Sequence, residues 1–418
     1  MTTKTLDASS VAEAAAVIGP HIRRTPTERS DALSGLAGRE VYLKLENLQK
    51  TGSFKIRGGL NALMHMDERQ RANGVVTASA GNHGQGVAFA AKLLGVPACV
   101  VLPIGVPLAK LTAIQRTGAE TVLTGESYDE AHAAALEIAR ERKRSYVHAF
   151  DDDDVIAGQG TLALEFLDDA PELDTLVVPV GGGGLISGIA LAASGRKTRP
   201  RIIGVQAAGA SAFAESFSSG KLVEHPVATI ADGIAVARPS VRTLSVAKRY
   251  VDEVITVTDE AIARTIVVLL ERTKLLAEGA GAAALAAVLE LDGRVGGQKV
   301  GVVISGGNID PNLLGKALQQ GLASAGRYLA FRTWLDDKPG LLHQLTGVLA
   351  AEHINILHVG IHRLGPYAAL GRVGLDVIVD TRDRAHAQHV LDLVRGSGFP
   401  AEEVLQTAPP KSDLGRPP

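Results

Sequence analysis

Cysteine is nearly missing from this chain: Cys99 is the one such residue in 418. A lone thiol excludes an internal disulfide. Its seat in the apolar run 98–102 predicts a buried, inert side chain rather than a nucleophile. Aromatic residues are scarce too, at 4% with a single tryptophan. No basic stretch interleaved with aromatics can be found, so no nucleic-acid partner is expected. Neither sign of charge prevails: 43 Lys and Arg stand against 45 Asp and Glu, a formal net charge of -2. That balance predicts no membrane-surface partner either. No apolar run reaches spanning length, and Met1-Thr2-Thr3-Lys4 opens no signal-like stretch. The expectation is a soluble, cytoplasmic protein. What is plentiful is glycine, with 46 residues. It predicts close backbone packing and loops that let a ligand approach the main chain.

Apolar patterning reads as an α/β chain. Residues 9–18 form a helix with a serine cap, 41–46 a strand, and 53–64 a helix that begins near a lysine. Strands at 74–78, 98–102, 120–124 and 146–149 alternate with helices at 84–94, 108–117 and 127–144. A second series follows, with strands at 175–180, 201–205, 251–257 and 299–304 and helices at 161–167, 185–193, 259–274 and 281–291. Short connections between such pairs predict parallel sheets covered by helices, in one catalytic region of two subdomains over 1–325. The smaller subdomain spans about 50–150. Composition then shifts. Residues 326–409 read as strand, helix, strand, strand, helix, which is most of a ferredoxin-like α+β module. The Pro- and charge-rich end, 410–418, is expected to be a disordered tail.

The glycine clusters follow apolar strands, where an open parallel sheet binds ligands. Gly181-Gly182-Gly183-Gly184 opens a helix after strand 175–180, and its amides would cradle a phosphate. Neither G-x-G-x-x-G nor a P-loop is satisfied there, which disfavours dinucleotides and nucleoside triphosphates. In the run Lys50–Gly59, Lys55 is placed for covalent chemistry, with burial and the neighbouring Arg57 expected to lower its pKa. Ser79-Ala80-Gly81-Asn82-His83-Gly84 crowds hydroxyl, amide and N–H groups at a strand-to-helix turn, suited to a carboxylate or a ring oxygen. His83 reads equally as structural or catalytic. Glu278, among Ala and Gly, either pairs with something specific or lies exposed at a cap. Ser305-Gly306-Gly307-Asn308 follows the last buried strand. Phosphate cradle and activated lysine together suggest pyridoxal phosphate. Ser245…Lys248 and Lys50-Thr51-Gly52 mimic a penicillin-binding pattern, but in the wrong order and without S-D-N. Asp151–Asp154 reads as a helix cap rather than a metal site, and His358 with His362 lacks a third ligand.

Taken together, K-T-G-S-F-K-I-R-G at 50–58, S-A-G-N-H-G-Q-G at 79–86, V-I-A-G-Q-G-T at 155–161, V-G-G-G-G-L at 180–185, A-D-G-I at 231–234, E-G-A-G at 278–281 and S-G-G-N at 305–308 resemble the threonine dehydratases (threonine ammonia-lyases) of the β-family pyridoxal phosphate enzymes. The resemblance covers essentially the whole chain. It implies a tryptophan synthase β-like catalytic fold with Lys55 as the Schiff-base lysine. It places Asn82 at the cofactor's phenolic oxygen, Gly181–Gly184 and Leu185 at the phosphate, and Ser305 at the ring nitrogen. Phe54 and Glu278 complete the cofactor-binding set. Ser79, Ala80, Gly81, Asn82 and His83 form the substrate loop. A freed Lys55 amine would take the Cα proton, the β-hydroxyl would leave, and hydrolysis would give a 2-oxo acid and ammonia.

Serine racemase is the rival within the family. It has a serine where Ala80 stands, and alanine carries no proton, so dehydration without efficient racemisation is expected. Some relatives bind a divalent ion beyond Gly204-Val205. Here Gln206 and Ala212 stand at or near its ligands, which disfavours that site and leaves room for a monovalent cation on carbonyls. Residues 337–341, Asp-Lys-Pro-Gly-Leu, resemble the turn of an ACT domain. That implies amino-acid control, with isoleucine or valine as the natural effector, in a homo-oligomer, dimer or tetramer. L-Threonine is the expected substrate and L-serine a weaker one. A dehydratase for another β-hydroxy amino acid and an amino-acid sensor on a dead scaffold are the alternatives.

Overall fold

A computed structural model describes residues 6–79, 81–362 and 371–404. Ala80 and the expected tail at 410–418 lie outside them. The chain divides into two compact units near Leu318.

The first unit holds two sheets. The larger runs, from edge to edge, Thr27–Arg29, Glu40–Leu45, Lys299–Ile304, Thr175–Pro179, Arg201–Ala207 and Glu253–Val257. All neighbours are parallel except the first pair. Its strands alternate between two cores. Val177, Val300 and Val302 face the alanine-rich helix Gly279–Glu290, while Leu176, Val178 and Val303 face helices Asp153–Asp169 and Gly184–Ser194. Burial on both faces is what a continuous apolar strand such as Leu176-Val177-Val178 requires. The smaller sheet runs Glu120–Leu123, Ala98–Leu102, Val75–Ala78 and Ser145–Tyr146, all parallel.

Strand order places the ligand crevice. In the small sheet the order reverses between Val75–Ala78 and Ser145–Tyr146; in the large one it reverses between Thr175–Pro179 and Lys299–Ile304. Loops leaving the carboxyl ends of such neighbours diverge and open a cleft. Those loops begin at Ser79, Val147, Val180 and Ser305.

Some expected elements differ in extent. The first helix is capped by Asp7, which accepts from the N–H groups of Ser9 and Ser10, so the cap precedes the serines. The strand expected at 146–149 ends at Tyr146, because Nδ1 of His148 accepts from the N–H groups of Phe150 and Asp151 and turns the chain. The helix expected at 161–167 runs Asp153–Asp169. Its glycines do not break it; they let neighbours approach. A Cβ on Gly160 would lie 2.4 Å from the carbonyl oxygen of Gly188. Asp152 caps that helix, accepting from Val155 N–H at 3.0 Å, as the acidic run predicts.

The second unit is an antiparallel sheet of four strands in the order Ile356–His362, Arg372–Asp380, Tyr328–Asp336, Ala401–Glu403. Helices Leu341–Ala351 and Arg384–Gly396 cover one face. The short last strand, absent from the sequence reading, completes the ferredoxin-like arrangement. Its three residues, Ala-Glu-Glu, carry too little alternation to read as a strand alone. Gly340, at φ +94°, turns the Asp-Lys-Pro-Gly segment into the first helix. Among the described residues no helix is long and apolar enough to cross a membrane.

Candidate active site

Lys55 is the first residue of helix Lys55–His65, which follows strand Glu40–Leu45 through a short connection. Its Nζ donates to the Ala149 carbonyl oxygen at 3.0 Å and lies 5.2 Å from the Phe54 ring centre. Loss of water brings its pKa down to about 8, against the opposing pull of Glu278. Arg57 has no part in that shift. Its guanidinium turns into the protein and is fully buried. It bonds both oxygens of Glu46 (2.8 and 2.9 Å) and both of Glu165 (2.7 and 3.0 Å). Lys44 joins through Glu165 at 2.8 Å. The expectation that Arg57 tunes Lys55 is therefore corrected: burial tunes the lysine, and Arg57 ties three elements together.

The glycine loop packs against the loop that leaves the small sheet. Gly183, at φ +90°, caps helix Gly184–Ser194. Phe150 and Phe213 press so closely on the loop that a Cβ on Gly182 or Gly183 would meet a ring at 2.4 or 2.2 Å. Thr243 Oγ1 donates to the Gly182 carbonyl at 2.7 Å, drawing that oxygen away from the helix end. The amides of the first helical turn have no intrahelical carbonyl to bond. Gln159 Nε2 and Lys55 Nζ share the Ala149 carbonyl, which links the lysine to the loop.

Asn82 begins helix Asn82–Leu94 after the Ser79–Gly81 turn, where Gly81 N–H donates to Ser79 Oγ at 3.2 Å. Its Nδ2 donates to Glu278 Oε1 at 2.6 Å. Glu278 therefore takes the specific-pair alternative: it is 4% exposed and sits against Gly306, where a Cβ would lie 2.4 Å from Oε1. Burial, with help from Asp232, pushes its pKa up to about 7. Ser305 is buried, and its carbonyl accepts from Phe54 N–H at 3.1 Å, next to Lys55. Leu185 is buried in the same helix end as the glycines.

One ring nitrogen of His83 is tied to the fold, while its Nδ1 is buried without a partner. Its Nε2 donates to the Val147 carbonyl at 3.0 Å, and burial, then the charge of Lys55, bring its pKa down to about 3. Two neighbours were not singled out by the sequence: Ala149, whose carbonyl holds the lysine, and Thr243, which fixes the loop; Asn308, read only as the end of the 305–308 turn, bonds Asn82. Alanine and threonine in unremarkable segments carry no local signal.

Residues 206–214 do not suit a divalent ion. Gln206 is buried and its Oε1 accepts from Ala214 N–H at 2.9 Å. Among the described residues no group of three or more His, Cys, Asp or Glu could hold a metal. His362 bonds Asp376 at 2.8 Å, Asp151 and Asp153 bond Arg242, and Lys248 lies over Phe217.

These groups fit pyridoxal phosphate. First-turn amides that no side chain caps suit a phosphate. The half-buried lysine with a depressed pKa suits an imine link. The fully buried hydroxyl of Ser53, two residues before it, has no partner and suits a polar guest. Comparison with known proteins agrees. The family of pyridoxal-phosphate dependent enzymes matches residues 18–306 and the ACT domain matches 331–396. An L-threonine ammonia-lyase of Thermotoga maritima is 43% identical, aligned over 90% of this chain and 94% of its own length. Another, of Geobacter sulfurreducens, is 46% identical over the same shares. Among solved structures, maize serine racemase aligns with a TM-score of 0.71 at 36% identity, covering 76% of this chain and 98% of that one. Fold, lysine, glycine loop and whole-length similarity agree: the chain belongs to the pyridoxal-phosphate dependent enzymes and carries a C-terminal ACT domain.

Proposed function

We propose that the chain is an L-threonine ammonia-lyase, converting L-threonine to 2-oxobutanoate and ammonia and acting more slowly on L-serine. The observation that carries this reading is similarity to two L-threonine ammonia-lyases along 90% of the chain, the ACT domain included. Bound pyridoxal phosphate supplies an electron sink that makes the substrate Cα–H acidic. The residues do the rest. The amides of Gly181–Gly184 and Leu185 would hold the phosphate, and Asn82 and Ser305 would hold the ring. The loop that the family motif assigns to 79–83 would grip the substrate carboxylate, with Ser79, Gly81 and Asn82 supplying donors. Lys55 takes the Cα proton, since a pKa near 8 leaves part of it unprotonated at neutral pH. Serine at the ring nitrogen is neutral, which limits charge delocalisation and favours prompt loss of the β-hydroxyl.

The residue at 80 is alanine, which has no proton to transfer, so elimination should outrun racemisation. The ACT domain suggests an amino-acid effector, with isoleucine or valine as the leading choices, in a homo-oligomer. The test is direct: 2-oxobutanoate and ammonia should form in equal amounts from L-threonine, and Lys55→Ala should abolish both. Formation of the D-isomer at a comparable rate would sink the elimination-only reading.

A further inference from the structure

A carboxamide can turn either its oxygen or its nitrogen toward a site, and the two have opposite chemistry. For Asn82 the neighbours remove the choice. The Thr51 carbonyl can only accept, so the atom of Asn308 that lies 2.8 Å from it is Nδ2. The other hydrogen of that nitrogen goes to Asn82 at 2.8 Å, and the atom receiving it is Oδ1. Asn82 Nδ2 is thereby turned to Glu278 Oε1 at 2.6 Å. A main-chain oxygen that cannot change role sets the direction of the whole series.

The seat of Asn308 is built for this. Its Oδ1 rests over Gly52, where a Cβ would lie 2.3 Å away, and Gly52 has φ +70°. The Gly52 carbonyl accepts from Gly307 N–H at 2.9 Å, which locks the two turns together.

We infer that Asn308 is a positioning residue that holds the Asn82 amide nitrogen-inward, so that one N–H of Nδ2 stays free to donate to an anionic oxygen of the cofactor. The inference rests on the pyridoxal phosphate reading above. One Nδ2 hydrogen goes to Glu278 and one remains. Without Asn308 only Glu278 holds the amide; when that carboxyl is protonated it can donate to a flipped Asn82 oxygen, and the flipped amide presents an oxygen that repels a negative oxygen where a donor would steady it. The lysine-bound cofactor shares a proton between its ring oxygen and the imine nitrogen, and its visible band reports which atom holds it.

The experiment is a pH titration of that band in the holoenzyme for the parent chain, Asn308→Asp and Asn308→Ala. Asn308→Asp keeps the shape but cannot donate to Thr51 or Asn82. It should move the midpoint by about one unit and weaken the visible band, with Asn308→Ala moving it less. The change in kcat should be about tenfold, with KM within about twofold and cofactor content unchanged. Asn308→Ser keeps one donor and should fall between parent and Asn308→Ala; it guards against a variant that fails to fold. An unmoved band with lowered kcat would overturn the inference, as would loss of cofactor from all three variants. A parent chain with no band that Lys55→Ala removes would instead refute the cofactor reading itself.

Discussion

Two groups in the crevice are held away from their ordinary ionisation. Glu278 is raised to about 7, first by burial, and Lys55 is lowered to about 8 by the same cause. In the cofactor-free protein the folded state keeps the Glu278 proton that the unfolded chain releases from pH about 4.5 upward. Stability therefore falls as pH rises through that window and the loss is complete above about 7. Glu278→Gln removes the charge and still accepts from Asn82. Equilibrium urea unfolding at stepped pH should find this variant more stable by about 3 kcal/mol above neutrality. Near pH 4.5 the difference should vanish. A pH-independent difference would show that the carboxyl is not buried as described. Lys55 acts oppositely: its share of instability is full below about 8 and fades as pH rises toward 10.5.

At the scale of elements, the buried cluster of Arg57, Glu46, Glu165 and Lys44 joins strand Glu40–Leu45, helix Lys55–His65 and helix Asp153–Asp169. Desolvation opposes the Arg57 charge, but Glu46 and Glu165 more than offset it and raise its pKa. Arg57→Met would leave the buried Glu46 carboxylate without its ion-pair partner, keeping only the Thr25 hydroxyl at 2.5 Å, at a cost of about 3–5 kcal/mol. Denaturant unfolding should register that loss. The helix that begins with Lys55 is anchored by this cluster, so the same variant should lower activity through displacement of the lysine. Sequence placed Arg57 two residues from Lys55 and suggested that their charges meet. A helix turns successive side chains by about 100°, which sends the two in different directions. Spacing alone could not rank burial with Glu46 above proximity to Lys55.

For the whole molecule, the two units each bury their own core, the first around its two mainly parallel sheets and the second around the antiparallel four-stranded sheet. A chain ending after Ala325 should therefore fold and retain deamination of L-threonine. It should lose any response to isoleucine or valine, read by calorimetry and by initial rates on both chains. Heat and inhibition that persist in the shortened chain would place the effector on the first unit instead.

The sequence by itself determined the β–α rhythm, the glycine loop at a helix start, the lysine after a strand and the ACT-type turn. Each depends on residues within a dozen positions of one another, where periodicity and backbone freedom act directly. The family motifs, being local strings, were legible for the same reason. Tertiary structure decided which of these groups meet. Asn82 finds Glu278 across 196 positions and Asn308 across 226, and Lys55 finds the Ala149 carbonyl across 94. The sheets' reversals of strand order bring those loops to one crevice. Burial then divides their roles: it lowers Lys55, raises Glu278 and commits Arg57 to the fold. Desolvation depends on everything packed around a group, and no local stretch of sequence contains that information.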